Sequence, residues 1–198
     1  MRKTIIVFTL LLLASLPAFC QRFYLQPTAA VGFTNAKMTA EAPIVAEPYE
    51  AGLGYIGGVR AGIDLRGLRI GTGVEFMHIS TKYISLGMSF KNTYDHLLIP
   101  VYAGYSFAIG NRFSLVPSAG AAFSINFFHN TYPFKKTSLW GCAQLDFEYK
   151  LNNNISLTAG PKFYQMLGSI VQHPPYSIGN VQQWHYGTTL CLGALMRL

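Results

Sequence analysis

Charge is scarce in this chain: Asp, Glu, Lys and Arg make up 12% of 198 residues, against ~25% in a typical soluble domain. Long apolar runs are scarce too. None reaches the ~20 residues that a membrane-spanning helix needs, although hydrophobic residues make up 51% of the chain. There are only three cysteines, Cys20, Cys142 and Cys191, and none has metal-ligand spacing, which excludes a disulfide scaffold and a zinc module. Lys and Arg outnumber Asp and Glu by 15 to 8, and the pI is about 9.4. The basic residues are nevertheless scattered. No basic helix or dense patch could track phosphates, so nucleic acid is not an expected partner.

At the N-terminus, Met1-Arg2-Lys3 precedes an apolar run from Ile5 to Leu13 and a small-residue stretch from Ala14 to Cys20. This order is that of a secretory signal peptide. Cleavage after Ala18-Phe19-Cys20 would leave Gln21 first, giving a signal over 1–20 and a single domain over 21–198. A lipoprotein reading of Cys20 is disfavoured, because Phe19 is bulky where a lipobox takes a small residue. Loss of Arg2 and Lys3 lowers the formal charge from +7 to about +5, which suits attraction to anionic headgroups.

Between the signal and Leu198, about eight stretches alternate apolar and polar residues with the period of a strand. In the first, Phe23, Leu25, Pro27, Ala29, Val31 and Phe33 share one face, opposite Tyr24, Gln26, Thr28, Ala30 and Gly32. Pro27 has no donor and predicts an irregular ladder position. The second puts Leu53, Tyr55, Val59, Ala61, Ile63 and Leu65 against Gly54, Gly58, Arg60, Gly62 and Asp64; Arg66-Gly67 then turns into the third, where Leu68, Ile70, Val74 and Phe76 oppose Arg69, Gly71, Gly73 and Glu75. The remaining five run near residues 94–107, 113–126, 139–151, 155–164 and 184–198. Long connections are expected near 35–52, 84–92, 127–137 and 168–182, and short ones near 66–67, 109–111 and 152–154. That alternation belongs to outer-membrane barrels, with outer loops and periplasmic turns.

The fold class read from this pattern is all-β: an eight-stranded antiparallel up-and-down transmembrane β-barrel with both termini periplasmic. A secreted barrel of lipocalin type, with the apolar face inward, is the competitor. It is disfavoured because the polar face is rich in Gly and Ser, as a narrow interior requires, while the apolar face is nearly free of charge. With lipid outside, Arg60, Asp64, Arg69, Glu75, Asp146, Glu148, Lys150 and Lys162 point into a lumen only wide enough for side chains to fill. There they are expected to form a salt-bridged plug rather than an ion path. Tyr83, Tyr94, Phe107, Phe113, Trp140, Tyr149 and Trp184 are candidates for interfacial girdles. Cys142 and Cys191 read as small buried residues in different strands.

The segment His96-Leu97-Leu98-Ile99-Pro100-Val101-Tyr102-Ala103-Gly104-Tyr105-Ser106-Phe107, with Ala119-Gly120 and the terminal Leu192-Gly193-Ala194-Leu195-Met196-Arg197-Leu198, resembles the small outer-membrane β-barrels of Bacteroidota often termed PorT-like. The architecture is similar to that of the OmpX and OmpA barrels. The resemblance implies the barrel over the whole mature chain, in a Gram-negative outer membrane, and no common activity. Leu98 stands where that family places an inward Glu, and the chain ends in Leu rather than Phe.

Three cues to chemistry remain. Gly52-Leu53-Gly54-Tyr55-Ile56-Gly57 matches a dinucleotide fingerprint by letters, but no strand-to-helix transition follows. His78-Ile79-Ser80 is similar to the His-x-Ser pair of lipid A deacylases. Hydrolysis would use Ser80 as nucleophile and His78 as base, yet Glu75 lies on the wrong face and no same-face acid is evident on an adjacent strand. His129, His173 and His185 fall in or beside the outer loops without ligand spacing. Neither metal nor cofactor is expected, and no catalytic, cofactor-binding or metal residues are assigned. The loops carry Glu41, Glu47, Glu50, Lys135, Lys136 and His173-Pro174-Pro175-Tyr176, which suit contact with protein, glycan or lipopolysaccharide. The function expected is a non-enzymatic integral outer-membrane barrel with a structural, surface-interaction or accessory-subunit role. Its partners are outer-membrane lipid and lipopolysaccharide, and a larger outer-membrane complex. A narrow channel or transporter and a lipid A-modifying hydrolase are the alternatives.

Overall fold

The computed structural model describes residues 22–40, 49–85, 88–127, 135–169 and 181–198. The expected signal peptide lies outside these residues, as do His129, His173, Glu41 and Glu47. Alternation becomes strand throughout: β1 (Arg22–Ala40), β2 (Tyr49–Leu65), β3 (Leu68–Ser85), β4 (Met88–Tyr105), β5 (Phe113–Phe127), β6 (Thr137–Lys150), β7 (Ile155–Met166) and β8 (Val181–Arg197). A two-residue continuation of β4, Phe107–Ala108, follows Ser106 and pairs with β5. Every neighbouring pair is antiparallel, and β1 pairs with β8 to close the barrel.

The faces follow the sequence pattern. Phe33, Leu53 and Leu192 are 70%, 65% and 58% exposed, while Glu75, Glu148 and Leu98 are fully buried. An apolar exterior around a charged interior is the inverse of a soluble barrel, and closure of the ladder leaves no free edge. Thus the lipocalin-like arrangement does not apply.

Four prolines sit within strands, and each falls in a gap of one of its two ladders. Pro27 interrupts β1–β8, Pro100 interrupts β3–β4, Pro117 interrupts β4–β5, and Pro161 interrupts β6–β7. Register is the same on either side of each gap, so the missing N–H removes ladder bonds without inserting a bulge.

The strands reach further than the alternation does. A tilted spanning strand needs about 9–11 residues, whereas β1 to β4 have 17 to 19. The expected long connection near 84–92 is accordingly corrected: β3 runs to Ser85, β4 starts at Met88, and the ladder pairs Lys82 with Lys91 and Ser85 with Met88. Alternation fades there because a strand that rises beyond lipid needs no apolar face. The expected loop over 35–52 shortens for the same reason to the gap between Ala40 and Tyr49.

At the opposite end the turns are tight. Arg66 and Gly67 both take positive φ, 55° and 99°, the two-residue form that matches strand twist, and Asp64 Oδ1 accepts from Gly67 N at 2.9 Å. Asn152 Oδ1 caps the β6–β7 turn by accepting from Asn154 N and Ile155 N, each at 2.8 Å. Both described chain ends lie here, since Leu198 N donates to Phe23 O and Arg22 to Asn153 O.

Candidate functional site

The lumen contains two layers of buried ion pairs. In the deeper one, Glu75 on β3 accepts from Arg60 Nε at 2.7 Å, from Lys162 Nζ at 2.8 Å to each oxygen, and from Tyr164 Oη at 2.9 Å. Arg60 also donates to Gln144 Oε1 at 2.7 Å and lies 5.1 Å from the centre of the Tyr102 ring. Nearer the turns, Glu148 on β6 accepts from Arg69 at 2.6 Å and from Arg197. Arg69 also reaches Asp64 at 3.3 Å. Five strands contribute, and each charge has a partner that offsets the loss of water. The expected plug is therefore present for Arg60, Asp64, Arg69, Glu75, Glu148 and Lys162. Buried Asp146 instead accepts from Gln144 at 2.5 Å, and Lys150 forms no ion pair among the described residues. The sequence pattern put Arg197 on the inner face but did not reveal it as a partner of Glu148, because that contact crosses β7, where Ser156 Oγ accepts from Arg197 at 2.8 Å.

Toward the loops the lumen is neutral and aromatic. Tyr94, His96, Trp140 and His185 pack with ring centres 4.3 to 6.5 Å apart. His96 Nδ1 and Asn126 Oδ1 are 2.7 Å apart, Trp140 Nε1 donates to Ser138 Oγ at 3.0 Å, and Gln183 Nε2 donates to Tyr94 Oη at 3.1 Å and to His185 Nε2 at 3.0 Å. Two expectations are corrected here. Tyr94 and Trp140 are not girdle residues: both have the inward parity of their own strands and are buried, whereas Phe107 and Phe113 are exposed outside. His185 is enclosed in the lumen rather than placed beside a loop. Among the described residues no three His, Cys, Asp or Glu groups converge as a metal site. Cys142 and Cys191 are unpaired thiols.

On the outer face of β3, His78 and Ser80 share a side, as the alternation requires. The expectation that no acid accompanies them is overturned. Asp95 on β4 stands directly opposite His78 in the ladder, and His78 Nδ1 donates to Asp95 Oδ1 at 2.6 Å. Tyr55 stacks on the imidazole with ring centres 4.8 Å apart. Asp95 was invisible to the sequence because the β3–β4 register, and not spacing along the chain, puts it there. With Nδ1 bound to a carboxylate, Nε2 is the free basic nitrogen. No hydrogen bond from Ser80 Oγ to His78 occurs among the described contacts.

The local backbone explains how this corner is held. The β2–β3 register shifts between Ala51 and Tyr55, a bulge that deprives Ser80 of a regular ladder partner. Thr34 on β1 reaches across β2 instead: its Oγ1 donates to Ser80 O at 3.0 Å and accepts from Ser80 N at 3.2 Å. Gly54 leaves room for that hydroxyl, since a Cβ there would meet Thr34 Oγ1 at 2.9 Å. Gly52 and Gly54 of the dinucleotide-like string thus serve a strand crossing, within β2 and without a helix.

The outer membrane protein beta-barrel domain family is matched over residues 6–172. No curated protein matches the chain in sequence. Among solved structures it is similar to Neisserial surface protein A, at 19% identity and a TM-score of 0.52, covering 89% of this chain and 97% of that one. It is also similar to the outer membrane protein AlkL, solved by solid-state NMR in DMPC bilayers, at 9% identity and a TM-score of 0.57, covering 91% and 92%. At such identities the likeness concerns the fold.

Proposed function

We infer the role of this chain from one premise: it belongs to the outer membrane protein beta-barrel domain family. We propose that it is an integral outer-membrane barrel that neither conducts nor catalyses, and that it acts as a structural or accessory subunit through surface contacts. In this reading the turns and both termini face the periplasm. The loop end meets lipopolysaccharide, glycan or a larger membrane complex, and the finer kinship is with PorT-like barrels. The observation that carries it is the doubly clamped lumen: Glu75 and Glu148 each hold two cations across the bore. A pathway for ions would have to break pairs whose members are then buried alone. Planar-bilayer recording tests this. No steady current is expected from the refolded chain, and stable open-channel steps would favour the channel alternative instead. Co-purification from native membrane would identify the accessory partner.

A second reading rests on Asp95. With Asp95 orienting His78, Ser80 Oγ would attack a lipid ester carbonyl, His78 Nε2 would take the hydroxyl proton and return it to the leaving alcohol, and water would then release the acid. His78 is half-buried on the outer wall and Ser80 is 5% exposed, so this reading requires the outer end of β3 to open to an acyl chain. Fatty-acid release from lipid A vesicles decides: release by the native chain that is lost in Ser80→Ala supports hydrolysis, and release retained in Ser80→Ala eliminates it.

A further inference from the structure

The lumen charges are stacked in layers, and the outermost layer at the turn end has no carboxylate that is not already engaged. Deepest lies Glu75 between Arg60 and Lys162. Next comes Glu148 between Arg69 and Arg197. Beyond them the bore widens into a cavity of about 370 Å³ among the turns, whose lining includes Arg22, Arg66 and Lys150. Asp64 is the one acid in that lining, and it is already engaged by Arg69 at 3.3 Å and by Gly67 N at 2.9 Å. Among the described residues no carboxylate lies within ion-pair reach of Arg22, Arg66 or Lys150. Among the described residues Arg22 donates to the Asn153 carbonyl, at 3.1 Å.

We infer that this mouth is a binding site for an acidic peptide segment, whose carboxylates complete the third cation–carboxylate layer. Cations gathered around one cavity repel each other until an anion enters. Guanidinium groups present a planar fork that matches a carboxylate in two parallel bonds. The two layers below already show the preference, since the anions paired in them are carboxylates, Glu75 in one and Glu148 with Asp64 in the other. The cavity admits a run of side chains but no folded domain, so the partner offers a flexible acidic tail or loop. This site lies at the end of the barrel away from the loops and does not depend on what they contact.

The test uses the full mature chain refolded in detergent micelles, where the mouth is accessible. A short fluorescein-labelled polyglutamate peptide is titrated and its anisotropy followed. One saturable site that weakens as salt rises is expected. Arg66→Asn with Lys150→Gln should weaken it roughly tenfold, because Asn tolerates the left-handed backbone at position 66 and the turn survives. Heat-modifiable migration on a gel verifies that the double variant is folded. Absence of saturable binding, or unchanged affinity in the folded double variant, overturns the proposal. Displacement of the peptide by inorganic phosphate at equal ionic strength also overturns it, by assigning the mouth to phosphate.

Discussion

The two halves of the lumen close the same bore with opposite materials. On the turn side the filling includes Arg60, Glu75, Lys162, Arg69, Glu148 and Arg197, every one buried and paired, beside Asp146, which Gln144 holds. On the loop side it is Tyr94, His96, Trp140, His185 and Gln183, with no carboxylate or basic chain in the cluster. A charged layer is all-or-none, because removing one member strands the others without water. An aromatic layer is graded: each ring contributes packing area and one or two neutral hydrogen bonds, and a ring of similar size can replace it. The difference teaches that closure of the lumen and tolerance of substitution are separate properties, distributed along the barrel axis.

The sharpest way to break the comparison is Glu75→Gln, which leaves Arg60 and Lys162 facing each other in a buried site. It is expected to cost about 3–5 kcal/mol, read as a fall in thermal unfolding temperature in micelles and as loss of heat-modifiable migration. A cost under ~1 kcal/mol would mean that water reaches this layer and that the halves do not differ as argued.

On the loop side the largest single effect is expected from Thr34→Val. It deprives Ser80 N of its acceptor at the β2 bulge, and an unsatisfied buried donor costs about 1–3 kcal/mol. Amide exchange at Ser80 is the direct measurement: faster exchange there with the β5–β7 ladders unchanged is the expected result. Exchange accelerated around the whole barrel would mean that Thr34 supports global closure rather than this corner.

The legibility of the molecule divides along similar lines. A period of two sorts each residue to lipid or lumen with no knowledge of its neighbours, so the inward list from Arg60 to Lys162 could be read directly. The same parity, applied to Tyr94 and Trp140, places them inside; the girdle expectation failed by weighing residue type over face. Height along the axis and register across strands are not encoded in alternation. They bring Asp95 to His78, Arg197 to Glu148, and β3 up to Ser85 beyond the apolar belt. Those are the features on which the candidate sites depend, and they required the ladders.

The smallest effect belongs to His185→Phe, and it bears most directly on whether the loop half is graded. The imidazole is fully buried; its Nε2 accepts from Gln183, and its Nδ1 has no hydrogen-bond partner among the described residues. Phenylalanine keeps a ring between Tyr94 and His96 and removes a buried polar atom that nothing satisfies. Gln183 Nε2 retains Tyr94 Oη at 3.1 Å as the acceptor for one of its two N–H groups, and the other loses its partner. The lost bond is worth about 1 kcal/mol, and relief of the unpartnered nitrogen acts in the opposite direction. Stability is therefore expected to stay within ~1 kcal/mol of the native chain, with unchanged heat-modifiable migration. A loss as large as that of Glu75→Gln would show that His185 is held as tightly as a buried ion pair, and the two halves of the lumen would then obey one rule.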